Sequence, residues 1–376
     1  MPASAADGDA AAALAAARRL VVKVGSAIVV DEAQVAAVAA GLAGLRAGGV
    51  EACLVTSGAI ALGKRRLGLA GPLKLAESQA ASAAGQAQLI DLWQNALAPH
   101  GMTAAQLLLT RSDAEHRRRY LNARATIATL IELGATPVVN ENDTVATAEI
   151  RYGDNDRLAA HAAQLAGAEV LLLLSDVDGF YDADPRDDPA ATRFAVVERE
   201  TPENEEHAAG PNATAGVGVG GMATKIAAAK LAAAAGCATI VASGRAPRPI
   251  ETVREGGPAT LFRAPTTPQR ARKIWILNHL RPTGRLVVDD GAAAAIAGGA
   301  SLLPSGVTRV EGAFDEGDVV DIAGASGDVI AKGVAQLDAA AARLAAGRRS
   351  AEVEALLGPR RRPAIVDRDD LARVEG

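Results

Sequence analysis

Glu169–Asp176 reads EVLLLLSD, and the stretch before it, Asp154–Gly167, reads DNDRLAAHAAQLAG. The first is a continuous apolar run, the pattern of a strand buried on both faces, because a strand with one wet face alternates. The second is helical, with Asp154 near its start. A helix running into a doubly buried strand is the unit from which parallel α/β sheets are built. The same alternation extends outward. On the N-terminal side come a strand at Leu20–Val24 closed by Gly25, a helical stretch at 32–47 ended by Gly48-Gly49, and a strand in VEACLVTSG (50–58). Then follow a long helix at 75–98, a strand in AAQLLLT (104–110), an amphipathic helix at 113–133 and a strand in TPVVNEND (136–143). On the C-terminal side, after a long irregular loop, GGMATKIAAAKLAAAAG (220–236) reads as a helix and CATIVASG (237–244) as a strand. The expectation is an α/β fold, a mostly parallel open sheet with helices on both faces.

The alternation stops near Ala264. From Pro282 the texture changes to short β-like runs broken by Gly and Asp: GRLVVDDG, GVTRVEGAF, GDVVDIAG, GDVIAKGVA and PAIVD. That spacing predicts a small β-rich module. The expected organisation is an Ala-rich disordered tail at 1–18, an α/β domain at 19–266, a linker at 267–281 and the β-rich domain at 282–370. A length of 376 residues suits two domains.

Composition excludes several classes. With 49% apolar residues but only 2% aromatics, Leu, Val and Ile must supply the packing. A net charge of −5 argues against a general nucleic-acid binder. Cys53 and Cys237 lie in apolar stretches and read as buried small hydrophobes, not as a disulfide framework. The five histidines show no ligand spacing, so no protein-only metal site is expected. The N-terminus carries acids where a signal peptide needs bases. No charge-free apolar run approaches the roughly 18–20 residues of a spanning helix. A cytoplasmic protein without a membrane partner is the expectation.

Lysine is scarce: seven residues, leaving 32 of the 39 basic side chains as Arg. Two lysines sit beside glycine turns, Lys23 in VVKVGS and Lys225 in VGVGGMATK. A compact ammonium can follow a moving phosphoryl group where a guanidinium fork cannot. Each also reads as an ordinary strand-end or helix residue. GVGVGG (216–221) matches G-x-G-x-x-G, but no strand precedes it and no P-loop string is present. What remains is a Gly-rich loop entering a helix, an anion site or a surface turn. Ser57 in VTSGA reads as an anion contact or a helix cap. NENDTVATAEIRYGDND (140–156) is the densest polar stretch; Asp143 suits an α-ammonium and Asn155 a carboxylate. Asp176 and Asp178 fit a calcium loop, but Phe180 in the fifth position does not. That loop instead follows the C-terminal end of a parallel strand, where ligands bind in open sheets.

In this order VVKVGSA, VTSGAIALG, LLTRSD, YLNARATI, PVVNENDTVATAEIRYGDND, LLLLSDVDGFYDADPR and GGMATK resemble the amino acid kinase family, in its glutamate-phosphorylating branch. DDGAAAAI and SLLPSGV resemble the PUA module that follows such kinases, so the likeness spans about residues 19–370. It implies transfer of the ATP γ-phosphoryl group to the γ-carboxylate of L-glutamate, the opening step of proline biosynthesis. By matching motifs, Lys23 and Lys225 are implied as phosphoryl-handling residues and Asp154 as the acid that organises them. Ser57, Asp143 and Asn155 are implied as glutamate contacts. Lys23, Ser175, Asp176, Val219, Gly220, Gly221, Met222, Ala223, Thr224 and Lys225 are implied as ATP contacts. Mg²⁺ arriving with ATP, a homo-oligomer and a handover to the next enzyme of the pathway complete the picture. The chain departs from the family pattern at Ala27, where a hydroxyl is usual, and at Val219, where a Thr is usual.

Two other readings compete. One is another amino acid kinase, acting on acetylglutamate or aspartate, against which NENDTVAT followed by GDND speaks. The other makes the C-terminal module an RNA-binding regulator. Residues 282–376 carry 11 basic and 15 acidic side chains, net −4, the wrong sign for a phosphate backbone, so RNA is not expected as a partner. A carboxylate nucleophile is already ionised at neutral pH and needs no general base. The difficulty is an anion approaching a polyanion, which positioned cations relieve.

Overall fold

The computed structural model describes residues 8–110, 113, 116–145, 155–198, 221–279, 281–358 and 364–374. They divide into two units, Met1–Pro268 and Gln269–Gly376.

The first unit is built on a sheet of eight strands: β1 (Arg19–Val24), β2 (Glu51–Thr56), β3 (Thr103–Leu109), β4 (Ala135–Glu141), β5 (Val170–Ser175), β8 (Val196–Val197), β9 (Ala238–Ser243) and β10 (Ala259–Phe262). Between β5 and β8, β6 (Phe180–Tyr181) and β7 (Arg193–Phe194) form a separate two-stranded ribbon. The order across the sheet is β3-β4-β2-β1-β5-β9-β10-β8. All pairings are parallel except β9 with β10, so the expected open α/β sheet is present. Every residue of β5 is buried, as the unbroken run of leucines requires. Alternation along β1 sends Val22 and Val24 into one core and Val21 into the other. The first core is covered by the Glu32–Ala47 and Leu75–Leu97 helices, the second by Asn155–Ala166 and Met222–Ala234. Cys53 and Cys237 are free and buried, and burial pushes the Cys53 thiol up to about 12.

Two sequence expectations fail. Gly8–Ala16, expected within a disordered tail, is a helix whose Ala10 and Leu14 join the first core, followed by buried Ala17. Those residues recur at helical spacing, and Ala is the strongest helix former, so the segment packs. Within 267–281, expected as a linker, Pro268–His279 is a helix, and from Gln269 onward it belongs to the second unit. Proline at its first position is tolerated because that N–H has no intrahelical acceptor.

The second unit carries a five-stranded sheet in the order β12-β11-β13-β14-β15. Its strands are β11 (Gly284–Val288), β12 (Val307–Gly312), β13 (Val319–Ala323), β14 (Val329–Ala335) and β15 (Val366–Arg373). Its own core includes Leu286, Val320, Ile322 and Ile365.

Candidate active site

The site lies where β1, β2 and β5 end, at the C-terminal edge of the parallel sheet. Lys23 is the penultimate residue of β1, paired with Val55 on one side and Leu173 on the other. The period of two puts its side chain on the face of Val21, beneath the Asn155–Ala166 helix. Lys225 lies in the first turn of the Met222–Ala234 helix and is 5% exposed. Both lysines reach one carboxylate. Lys23 Nζ is 2.6 Å from Asp156 Oδ1, and Lys225 Nζ is 3.3 Å from Asp156 Oδ2. Thr224 Oγ1 also donates to Oδ2 at 2.9 Å. Asp156 is 2% exposed. Burial alone would raise its carboxyl; the Lys23 charge, then the Lys225 charge, outweigh that and hold it below the ordinary carboxylate range. Among the described residues Asp156 is the one carboxylate that meets both ammonium groups. Two helix N-termini lie at this corner, and their positive dipole ends favour an incoming anion.

Ser57 follows β2, and its N–H donates to Val24 O at 3.1 Å, tying the turn to the end of β1. Gly58 has φ +114, and a Cβ there would lie 2.9 Å from Val29 Cγ1, so the turn into the Ala59–Arg66 helix requires glycine. Asn155 Nδ2 donates to Ser57 Oγ at 2.8 Å. Asn155 Oδ1 is buried with no hydrogen-bond partner among the described residues. An uncompensated buried acceptor costs free energy, and it is suited to a donor brought by a ligand. Asp143 opens a short 3₁₀ turn after β4, and Asn142 N–H anchors that turn to Leu109 O at 2.9 Å. Its Oδ2 accepts from Ser82 Oγ at 2.6 Å. Burial raises the Asp143 carboxyl above its ordinary value; the Ser82 hydrogen bond opposes that but does not cancel it.

Ser175 ends β5, and its hydroxyl donates to Asp176 Oδ1 at 3.0 Å. Asp176 lines a cavity of about 430 Å³ together with Tyr181, Arg186, Ser243 and Pro249, at the ends of β5 and β9. Gly221 precedes the Met222–Ala234 helix, which places Met222, Ala223 and Thr224 in the same first turn as Lys225. Asp154, Val219 and Gly220 lie outside the described residues. The acid shared by the two lysines is Asp156, which the sequence reading did not single out. A signal for it exists: Asp156 is in phase with Ala159, Ala160 and Ala163, the buried stripe of its helix. Ser82 was missed as well, inside an Ala-rich helix. Among the described residues no group of three or more acids, histidines or cysteines is arranged to hold a metal ion. No described helix is long and apolar enough to cross a membrane.

At the C-terminal edge of the parallel sheet the half-buried Lys23 and the buried Lys225 thus meet on one buried acid. The family model described as the amino acid kinase family matches residues 18–243, and the chain belongs to that family. A PUA domain model matches residues 284–357. Over nearly its whole length the chain is similar to proteins named glutamate 5-kinase. It is 54% identical over 368 residues to the one from Caulobacter vibrioides (strain NA1000 / CB15N), covering 96% of this chain and 97% of that protein. It is 50% identical over 370 residues to the one from Paramagnetospirillum magneticum, covering 96% and 99%. It is 51% identical over 365 residues to the one from Rhizobium etli (strain CIAT 652), covering 95% and 93%.

Proposed function

We propose that this chain is a glutamate 5-kinase: it transfers the γ-phosphoryl group of ATP to the γ-carboxylate of L-glutamate, giving L-glutamyl 5-phosphate and ADP. The carrying observation is the meeting of Lys23 and Lys225 on Asp156. In the reaction a carboxylate oxygen attacks the γ-phosphorus, and the bond to the β–γ bridging oxygen breaks, leaving its electron pair on ADP. No proton has to be removed from the nucleophile, so the reaction needs no general base. Lys23 and Lys225 offset the repulsion between the two anionic reactants, and Asp156 keeps the two ammonium groups together against their own repulsion. Ser57 and Asn155 receive the amino acid, with Asn155 Oδ1 as a ready acceptor. Asp143 pairs with its α-ammonium. Asp176 and the first turn at Gly221, Met222, Ala223 and Thr224 border the nucleotide, with Ser175 held against Asp176. Val219 and Gly220 complete the reading as ATP contacts, and Asp154 as an organiser of the lysines, all carried over from the family motifs.

Among the described residues the buried Asp156 is already paired with two lysines, and no group of three or more potential ligands is gathered to hold a cation. Mg²⁺ belongs to this reading only as a companion of ATP, held by phosphate oxygens and water. The reading further takes the chain as a cytoplasmic homo-oligomer that passes a labile acyl phosphate to the next enzyme of proline biosynthesis. ATP, L-glutamate and hydroxylamine test the activity, because an acyl phosphate is trapped as a coloured hydroxamate. Colour with glutamate, and little with aspartate or acetylglutamate run in parallel, is the expected result. Colour with either competitor in preference to glutamate would replace the substrate.

A further inference from the structure

Ser82 lies on the Leu75–Leu97 helix, is 0% exposed, and donates to Asp143 Oδ2 at 2.6 Å. An alanine-rich helix has no packing need for a hydroxyl there, and a buried hydroxyl without a partner is costly. The helix is held in place on both sides of Ser82. A Cβ on Gly63 would lie 1.7 Å from Ala81 O, and a Cβ on Gly85 would lie 1.9 Å from Ala59 O. The Leu75–Leu97 and Ala59–Arg66 helices therefore touch backbone to backbone, with Ser82 between the two contacts. The Ala59–Arg66 helix in turn begins at the turn of Ser57 and Gly58. A rigid path thus joins the hydroxyl that meets Asn155 to the hydroxyl that meets Asp143.

From this we infer that Ser82 is a positioning residue for amino-acid binding: its hydroxyl fixes the Asp143 carboxylate in the rotamer that receives the substrate ammonium. The inference rests on the assignment of Asp143 proposed above. A hydrogen bond to an ionised acceptor is stronger than one between neutral groups, and it uses one Asp143 oxygen while leaving the other for the ligand. It also favours the charged form of a carboxyl that burial disfavours. Ser82 has no route to the phosphoryl group in this arrangement, so its effect falls on glutamate affinity and not on turnover.

The test is a cycle on the full chain with Ser82→Ala, Asp143→Ala and the double variant, reading KM for glutamate, KM for ATP and kcat, with thermal melts as a folding control. Ser82→Ala should raise the glutamate KM about tenfold, in line with the loss of a hydrogen bond to a charged group. The ATP KM and kcat should change less than about threefold. Added to Asp143→Ala, it should cost little more, because the two residues act as one unit. Ser82→Thr, which keeps the hydroxyl, should restore most of the affinity. Should Ser82→Ala melt too low to assay, Ser82→Cys keeps the volume with a weak donor and should show the same KM-specific loss. A wild-type glutamate KM in Ser82→Ala, or the same fold-loss with and without Asp143, would overturn the inference. An Asp143→Ala variant with unchanged glutamate KM would instead overturn the assignment beneath it.

Discussion

Asp156 and Asp143 sit at two corners of one sheet edge and are treated in opposite ways. Asp156 is buried, yet two lysines hold its carboxyl below the ordinary range. Asp143 is half-buried, meets a hydroxyl through Ser82, and has its carboxyl raised. The first corner satisfies its acid internally with two ammonium groups, which on the proposed reading face the reacting anions. The second keeps an acid whose charge is poorly compensated, which suits an ammonium brought by the ligand. On the proposed reading, one chain thereby separates the handling of a phosphoryl group from recognition of an amino acid.

The comparison breaks most visibly at the lysines. Lys23→Ala and Lys225→Ala should each lower kcat by about 10²–10³, the usual cost of one donor aimed at developing charge, in a hydroxamate assay at saturating substrates. Asp143→Ala should leave kcat nearly intact and raise the glutamate KM by roughly 10–100-fold, the range for losing a charge-assisted contact. A change confined to the ATP KM would exchange the roles of the two corners. Gly63→Ala should lower stability by about 1–3 kcal/mol, read as a urea midpoint, because its new methyl meets the Ala81 carbonyl and the helices must separate.

The smallest effect is in pH. For Asp156 the folded carboxyl lies below its unfolded value, so the unfolded chain binds the proton first. Its stabilisation is present above the unfolded value near pH 4 and is lost as pH falls through the lowered folded value. Asp143 has the opposite sign: its folded carboxyl is raised, so it favours folding less as pH rises through that value. Between about pH 5 and pH 3, Asp156→Asn should therefore show a shallower loss of urea midpoint than the wild type. Equal slopes would mean that Asp156 is not held by its lysines in solution.

The sheet was legible because β5 carries no polar residue before its last, Ser175, so nothing along it marks a wet face, and because glycines end so many elements. Lys23, Lys225 and Ser57 stood out because each lies beside a glycine turn, and Asn155 because it lies in the densest polar stretch. Asp156 was not, since three polar residues follow one another in DND and only the phase of the helix tells which one faces β1. Ser82 was hidden for another reason. Its partner is 61 residues away, and a long-range hydrogen bond leaves no local pattern. The Gly8–Ala16 helix was missed because its burial depends on a tertiary partner, which composition does not reveal.

The most direct test of the central claim compares kcat for Lys23→Ala, Lys225→Ala and the double variant, in single-turnover experiments with ATP and glutamate. If both amines serve one phosphoryl group through Asp156, the double variant should fall to within about tenfold of the worse single one, as residues acting as a unit do. Losses that multiply in full would mean two independent sites and would contradict the account.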